Sequence, residues 1–220
     1  MKARTVLVDL DGTLVDSAPD IVEAANRMLD DLHAAPLPPA TITGFIGNGV
    51  PTLVRRVLAA SAIAADEEPH ALALFTRHYQ DTNGRFSQVF PGVRDGLIAL
   101  KAAGYRLGCV TNKTQDATAA LLSISGLAPF FEVVVGGDAT PHMKPHAEPL
   151  LHACRLLGTD PALSVLVGDS HVDVAAALAA RMPVFIVLYG YPGPGGHAGM
   201  RGAVFIDALT ELPPLVRMLA

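Results

Sequence analysis

Asp9 and Asp11, near the amino terminus, are the two residues whose types and spacing most directly suggest chemistry. They follow the apolar run Val6-Leu7-Val8, which is typical of a buried strand. Residues two apart in an extended chain face the same side, so both carboxylates project together while Leu10 points into the core. Open parallel sheets bind ligands beyond the carboxyl ends of their strands, which is where this pair lies. Taken alone, the pair is also explained as a polar strand end before a glycine turn.

Three further predicted strand ends and loops carry polar side chains of complementary kinds. They are Thr111, Asn112 and Lys113 after one strand, Lys144 before a helix, and Asp169, Ser170 and Asp173 after another strand. Singly, Thr111 and Ser170 are typical helix caps, and Asp173 suits the positive first turn of a helix. Jointly they predict a cluster of carboxylates, a hydroxyl and an ammonium at one edge of one sheet.

The elements that must position these side chains alternate between short apolar runs and helical patterns. The runs are Thr5–Leu10, Tyr105–Thr111, Val133–Gly136, Ser164–Gly168 and Val184–Leu188, and the helical patterns are Val93–Ala103, Ala117–Ser125, Ala147–Leu157, Val172–Ala180 and Leu209–Leu219. Continuous apolar runs are typical of strands buried on both faces. The alternation predicts an α/β fold, a doubly wound, mostly parallel, Rossmann-like sheet with helices on both faces.

The stretch from Ser17 to Arg85 interrupts this alternation with helical patterns and no convincing strand. A proline cluster at 36–39 separates its first helix from the next. We therefore predict two domains. Residues 1–16 and 86–220 form an α/β core, and residues 17–85 form an inserted, all-helical cap.

Composition narrows the class of protein. The chain has 220 residues, a net charge of −5, 17% charged and 50% hydrophobic residues, and no basic run. This composition excludes a disordered chain and argues against nucleic-acid or anionic-membrane partners. Its apolar stretches are too short to span a bilayer, and no secretory signal is visible. Two cysteines, Cys109 and Cys154, make no disulfide framework, so we expect a cytoplasmic protein.

Four short motifs occur in an order that resembles the haloacid dehalogenase superfamily, and most closely its bacterial phosphoglycolate phosphatases. They are DLDGTLVDS at 9–17, TN at 111–112, KP at 144–145 and GDSHVD at 168–173. FIGNG at 45–49, TNK at 111–113, GGD at 136–138 and KPHAEPL at 144–150 resemble the phosphoglycolate branch. The resemblance covers essentially the whole chain.

The resemblance implies a hydrolase of small phosphorylated metabolites that forms an aspartyl-phosphate. Asp9 is the implied nucleophile and Asp11 the general acid and base. Thr111, Asn112 and Lys144 are implied to bind phosphoryl oxygens. Mg²⁺ is the implied cofactor, held by Asp9, the Asp11 carbonyl and Asp169, with Asp173 in the same metal site, ligating or supporting it. A cation is needed because a phosphate monoester and several carboxylates repel one another.

The cap is implied to close over the site and select the substrate. Gly47-Asn48-Gly49 followed by Pro51 predicts a loop entering a helix, whose free N–H groups suit a carboxylate. We expect this loop, or Arg55 or Arg56 behind it, to bind the substrate's carboxylate. A simple glycine-rich turn between helices explains the same residues.

Three positions depart from the family pattern. Arg181 replaces a helix-ending glycine, which predicts a different helix exit, and Ala147 and His171 replace a common proline and arginine. His142 and His146 are four apart with Glu148 nearby, but Pro145 between them argues against a helical metal pair.

Two alternatives stay open. One is a related sugar-phosphate phosphatase or phosphomutase with the same motifs. The other is a phospho-accepting receiver domain, which also uses a parallel sheet with acidic residues, a threonine and a lysine.

Overall fold

Six parallel strands form the central sheet of the protein, in the order β5-β4-β1-β6-β7-β8. The structure is a computed structural model and describes residues 5–218. The strands of the sheet are β1 Thr5–Val8, β4 Arg106–Val110, β5 Val133–Val135, β6 Ser164–Gly168, β7 Val184–Val187 and β8 Ala203–Ile206. Since β1 lies between β4 and β6, the carboxyl ends of these three strands are neighbours.

Nine α-helices lie within the described residues 5–218. They are α1 Ala18–Asp31, α2 Pro39–Thr43, α3 Val50–Ala60, α4 Glu68–Thr82, α5 Val93–Ala102, α6 Gln115–Ile124, α7 Glu148–Leu157, α8 His171–Ala180 and α9 Leu212–Met218. Helices α5, α6 and α9 pack on one face of the sheet, and α7 and α8 on the other. Strand β1 illustrates the pattern, with Val6 and Val8 in one core and Leu7 in the other. The predicted doubly wound α/β fold is confirmed, and all its paired strands are parallel.

Helices α1 to α4 form a separate helical unit with its own hydrophobic core. Its buried side chains include Met28 of α1, Val54 of α3 and Phe75 of α4. Two linkers join this unit to the sheet. They pair as short antiparallel strands, β2 (Val15–Asp16) and β3 (Gln88–Val89). The boundaries predicted at 16/17 and 85/86 fall close to these linkers, although the division into two domains stays a prediction.

The structure differs from the sequence prediction mainly at element ends. Four strands are shorter by one or two residues than predicted, because their last residues turn out of the sheet. Strands β2, β3 and β8 and helix α2 were not predicted, since segments of two to five residues carry almost no periodicity. The terminal helix is divided into a 3-10 turn at Leu209–Glu211 and α9, and Leu219 lies outside the described residues.

The predicted different exit of helix α8 at Arg181 is wrong. Arg181 has φ of 55° and ψ of 38°, the left-handed conformation that a helix-ending glycine adopts. Its N–H donates to the carbonyl of Leu178 and the chain turns toward β7. The backbone exit is therefore the usual one, made by a residue with a Cβ at a steric cost.

Among the described residues, no helix combines the length and apolar character required to cross a bilayer.

Candidate active site

The ends of β1, β4 and β6 bring the sequence-predicted residues into one cavity beneath the helical unit. Asp9, Thr111 and Asp169 line it from the sheet side, each one residue beyond its strand. Tyr79 and Phe75 of α4 are among the residues that line it from the helical side. The cavity encloses about 590 Å³ of space, part of it open to solvent. That size suits a small molecule.

Asp9 is buried, and its two carboxylate oxygens have different surroundings. Oδ1 accepts the N–H of Leu10 at 2.8 Å and lies 2.9 Å from Nζ of Lys144. Oδ2 has no hydrogen-bond partner among residues 5–218. Burial raises the pKa of Asp9 to about 7 against the opposing effect of Lys144, and the charge of Asp173 adds to the rise. One oxygen is thus fixed while the other is free for a ligand.

Lys144 lies between two carboxylates at the bottom of the site. It is 2% exposed, and its Nζ is 2.7 Å from Oδ1 of Asp173 as well as 2.9 Å from Asp9. Burial alone lowers the pKa of Lys144, but Asp173 and Asp9 outweigh it and raise that pKa above its usual value. The lysine therefore carries its charge at neutral pH.

Asp173 is buried and accepts hydrogen bonds from Lys144 and Ser170. Its Oδ2 accepts the hydroxyl of Ser170 at 2.7 Å and the N–H of Ser170 at 3.2 Å, while Oδ1 accepts from Lys144. Both oxygens are occupied by protein donors. This arrangement favours a supporting position for Asp173 over direct metal ligation.

Asp169 completes a group of acidic residues that could hold a metal ion. The ligand oxygens of Asp9, Asp169 and Asp173 lie within 4.8 Å of one another, and all three residues are buried. Burial, followed by the charges of Asp173 and Asp9, raises the pKa of Asp169 well above its usual value. Buried carboxylates this close need a cation to be ionised together, and oxygen donors suit a hard divalent ion.

Asp11 faces the same cavity but is bound to different partners. Its Oδ1 accepts the Ser17 hydroxyl at 2.6 Å and lies 3.0 Å from Nζ of Lys113. Nζ of Lys113 also donates to the hydroxyl of Tyr79, on helix α4. Burial alone lowers the pKa of Lys113, but Asp11 and Tyr79 raise it above its usual value. Asp11, Lys113 and Tyr79 thus connect the sheet to the helical unit.

Thr111 and Asn112 follow strand β4 as predicted, and the Asn112 side chain is hydrogen-bonded to other protein groups. Asn112 Nδ2 donates to the carbonyls of Gly47 and Lys144, at 2.9 and 2.8 Å, and its Oδ1 accepts the Lys144 N–H. The amide is therefore engaged by protein groups.

Gly137 packs so closely against Asn112 that a Cβ would lie 2.4 Å from the Asn112 carbonyl oxygen, so only glycine fits.

The loop 47–49 enters helix α3 as the sequence predicts, with α3 beginning at Val50. Gly47 and Gly49 line the cavity, whereas Asn48 lines an adjacent cleft. Arg55 and Arg56 do not line the cavity. Arg55 is exposed and pairs with Glu68, and Arg56 donates to the carbonyl of Phe45.

The comparisons with known proteins agree with this geometry. A model of the haloacid dehalogenase-like hydrolase family matches residues 6–187. The chain belongs to this family. It is 58% identical to a phosphoglycolate phosphatase from Cupriavidus necator, covering 98% of this chain and 94% of that protein. It is 37% identical to a phosphoglycolate phosphatase from Nitrosococcus oceani, covering 98% and 97%.

Solved structures give the same result. The crystal structure of a predicted phosphoglycolate phosphatase from Haemophilus somnus matches with a TM-score of 0.91 and 30% identity, covering 98% of both chains. The resemblance drawn from the four motifs is therefore confirmed, and the chain is a hydrolase of the haloacid dehalogenase-like family.

Sequence reasoning missed two tyrosines at the candidate active site. The Tyr191 N–H donates to Asp169 Oδ2 at 2.6 Å, and its hydroxyl donates to Asp16 and accepts the Ala18 N–H. Tyr79 contacts Lys113 as described. Tyr191 follows strand β7 within a glycine-proline loop, and Tyr79 lies on the apolar stripe of α4. Neither position carries a sequence signal, since the contacts join residues far apart in the chain.

One cluster lies outside the active site of the hydrolase. Donor atoms of His142, His146 and Glu148 lie within 4.8 Å of one another at the surface. Both histidines precede helix α7, so they are not a helical pair.

Proposed function

We propose that this chain is a magnesium-dependent phosphatase that hydrolyses 2-phosphoglycolate to glycolate and phosphate through an aspartyl-phosphate on Asp9. The observation that carries the proposal is the asymmetry of the Asp9 carboxylate. Lys144 and the Leu10 N–H fix Oδ1, and Oδ2 is left without a protein partner beside the cavity. The names of the relatives from Cupriavidus necator and Nitrosococcus oceani support the substrate.

The acidic cluster supports a role for Mg²⁺. A phosphate monoester brings about two negative charges to the buried carboxylates, and charges ~4 Å apart repel by ~4 kcal/mol at an effective dielectric constant of ~20. We propose that Asp9, Asp169 and the carbonyl of Asp11 hold the ion, with Asp173 supporting them from behind. Bound there, Mg²⁺ neutralises the carboxylates and the phosphoryl oxygens.

The reaction proceeds in two displacements. Oδ2 of Asp9 attacks phosphorus, the phosphorus–oxygen ester bond breaks, and Asp11 gives a proton to the departing glycolate oxygen. Water then attacks the aspartyl-phosphate, Asp11 takes its proton, and the bond between Asp9 and phosphorus breaks. The hydrogen bonds from Ser17 and Lys113 to Asp11 suit the ionised form that this second displacement needs.

Two side chains stabilise the charge that develops on the phosphoryl oxygens. The Thr111 hydroxyl accepts from the Lys113 N–H, which leaves its own proton available to an oxygen in the cavity. Lys144 supplies a buried positive charge next to Asp9. The side-chain amide of Asn112, which the resemblance implies to bind phosphoryl oxygens, donates to the carbonyls of Gly47 and Lys144 and so supports the position of Lys144.

We further propose that residues 17–85 act as a cap domain that covers the bound substrate. Gly47 and Gly49 lie against the cavity, and a Cβ on Gly49 would approach the Met143 sulfur to 2.9 Å. This close contact supports a closed cap. A closed cap excludes water and leaves room only for a small phosphate ester.

A phosphate-release screen over small phosphomonoesters, with Mg²⁺ and with EDTA, tests the function. We expect turnover of 2-phosphoglycolate that EDTA removes. Asp9→Asn should lower kcat by at least ~10³-fold because an amide is a poor nucleophile. The matched control is Asp95→Asn, which removes the same charge from an exposed position of α5 and should turn over normally.

Each part of the proposal has its own contrary result. Wild-type rates in Asp9→Asn would overturn the nucleophile. Turnover that survives EDTA would overturn the metal. A preference for a sugar phosphate over 2-phosphoglycolate would overturn the substrate while leaving a phosphatase.

A further inference from the structure

Lys113 is a buried lysine that lines the cavity, and the two displacements above give it no direct contact with the substrate. Lys113 is 6% exposed. Among the described residues that line the cavity, it is the only lysine or arginine. Burying an ammonium is unfavourable unless charged or polar partners repay it, so its position calls for an anionic partner.

The partners of Lys113 come from both sides of the cavity. Its Nζ lies 3.0 Å from Asp11 Oδ1 and 3.4 Å from Asp11 Oδ2, donates to the hydroxyl of Tyr79, and stands 4.7 Å from the centre of the Tyr79 ring. Residues 5–218 provide no further partner for Nζ. An ammonium has three N–H donors; one N–H directed between the two Asp11 oxygens and one toward Tyr79 leave the third for a ligand.

Apart from Tyr79, the side chains on the helical side of the cavity are apolar, and Gly47 and Gly49 of the loop before α3 contribute only backbone groups. Ile21, Ile46, Leu53 and Phe75 line this side. Apolar side chains offer a carboxylate no donor, and Arg55 and Arg56 do not line the cavity. Lys113 is therefore the group best suited to a second negative charge on the ligand.

The spacing along the β4 end fits a short ligand. Lys113 is two residues beyond Thr111, so their Cα atoms are at most ~7.6 Å apart. A small ligand with a phosphoryl group beside Thr111 and a carboxylate beside Lys113 is compatible with this spacing.

We propose that Lys113 recognises the substrate's carboxylate and that Tyr79 of helix α4 positions the lysine for this contact. The inference rests on the proposed phosphatase function and assigns its specificity to a residue of the core rather than to the loop 47–49. Tyr79 makes that recognition dependent on the helical unit being in place, since its hydroxyl holds Nζ from the opposite side.

The test compares 2-phosphoglycolate with ethyl phosphate, which has a methyl group in place of the carboxylate. The readout is the ratio of the two kcat/KM values. Lys113→Gln should lower this ratio by about 10- to 100-fold, as expected for loss of a charged hydrogen bond. Lys113→Arg, which keeps the positive charge, should lower this ratio less than Lys113→Gln does.

Tyr79→Phe tests the positioning role without removing the ring. We expect the ratio to fall by about 3- to 10-fold, through a rise in KM for 2-phosphoglycolate rather than a fall in kcat. A purely structural effect would lower kcat/KM equally for both substrates and leave their ratio unchanged. Arg55→Gln is the matched control, because it removes one positive charge from the exposed side of α3 and should keep the ratio.

The results separate the two levels of the proposal. A wild-type enzyme that hydrolyses p-nitrophenyl phosphate but does not prefer 2-phosphoglycolate to ethyl phosphate contradicts the proposed substrate. If the wild-type enzyme prefers 2-phosphoglycolate and folded Lys113→Gln keeps the same preference, the proposed role of Lys113 is wrong. Should Lys113→Gln fail to fold, an undiminished ratio in Tyr79→Phe overturns the inference instead.

Discussion

At the scale of single residues, the active site places each charged group beside a specific partner. Lys144 neutralises Asp9 and Asp173, whereas Lys113 neutralises Asp11. The two lysines therefore place one positive charge beside Asp9 and another beside Asp11, and we propose that the first faces the phosphoryl group and the second the rest of the substrate. This placement of the lysines follows from contacts between distant parts of the chain and not from any local motif.

Arg181 shows a different single-residue effect, on stability. It adopts the left-handed conformation at the end of α8, which costs a residue with a Cβ ~1–2 kcal/mol. Arg181→Gly should raise the free energy of unfolding by about 0.5–1 kcal/mol, once the greater unfolded-state entropy of glycine is subtracted.

Urea denaturation measures this change. Arg181→Ala is the control, since alanine keeps the Cβ and the strain, and it should give no comparable gain. Equal stability of the glycine and alanine variants would show that the conformation of Arg181 is not strained.

At the scale of elements, the two linkers between the sheet and the helical unit are fastened by side chains. The buried carboxylate of Asp20, in the first turn of α1, accepts the N–H groups of Gly84 and Phe86 at 2.7 and 2.6 Å, and also the Ser87 hydroxyl. At the other linker, the Tyr191 hydroxyl donates a hydrogen bond to Asp16 and accepts one from the Ala18 N–H. These contacts set where the helical unit stands above the sheet.

Removal of the Asp20 carboxylate should loosen the second linker. Asp20→Ala leaves two backbone N–H groups without acceptors, which should lower the free energy of unfolding by about 2–4 kcal/mol. We also expect faster proteolysis between residues 82 and 88. Asp30→Ala, at an exposed position of the same helix, should change stability by less than ~0.5 kcal/mol. A loss in Asp20→Ala no larger than in Asp30→Ala would contradict the fastening role.

At the scale of the whole molecule, the protein concentrates buried carboxyl groups at the carboxyl edge of its sheet. Burial raises the pKa of Asp9 to about 7, and that of Asp169 well above its usual value. A carboxyl group whose pKa is raised by folding contributes stability at low pH, and this contribution is lost as the pH rises through the folded-state pKa. Without a cation, the protein should therefore lose stability between about pH 4 and pH 7.

Magnesium should bind more tightly as the pH rises, whereas the stability of the metal-free protein should fall. Below pH 7 the ion must displace a proton from Asp9, so its Kd should fall by about tenfold per pH unit for each proton displaced, and level off above pH 7. Calorimetric titration between pH 5.5 and 8 measures this, and the rise in Tm on adding Mg²⁺ should be greatest at pH 8. A Kd that stays constant over this range would contradict the raised pKa.

The architecture could be predicted from the sequence because its signals are local. Five of the six strands in the central sheet are continuous apolar runs, and Gly126 and Gly158 end helices where predicted. Asp9, Thr111 and Asp169 were also identifiable as candidates, because parallel strands place their carboxyl ends at one edge of the sheet, whereas Lys144 lies in the loop between β5 and α7 and was singled out by its motif. Short segments such as β2 and β3 could not be found, since two residues have no measurable period.

The sequence by itself determined the α/β class, the helical insertion and the set of residues at the strand ends, since periodicity and chain order are enough to establish these. Only the tertiary structure decided how those residues are connected. It turned the Asn112 amide onto Gly47 and Lys144, left Arg55 outside the cavity, and set Lys113 between Asp11 and Tyr79. Hydrogen bonds of this kind depend on distances of a few tenths of an ångström between residues remote in the chain, and no local pattern encodes them.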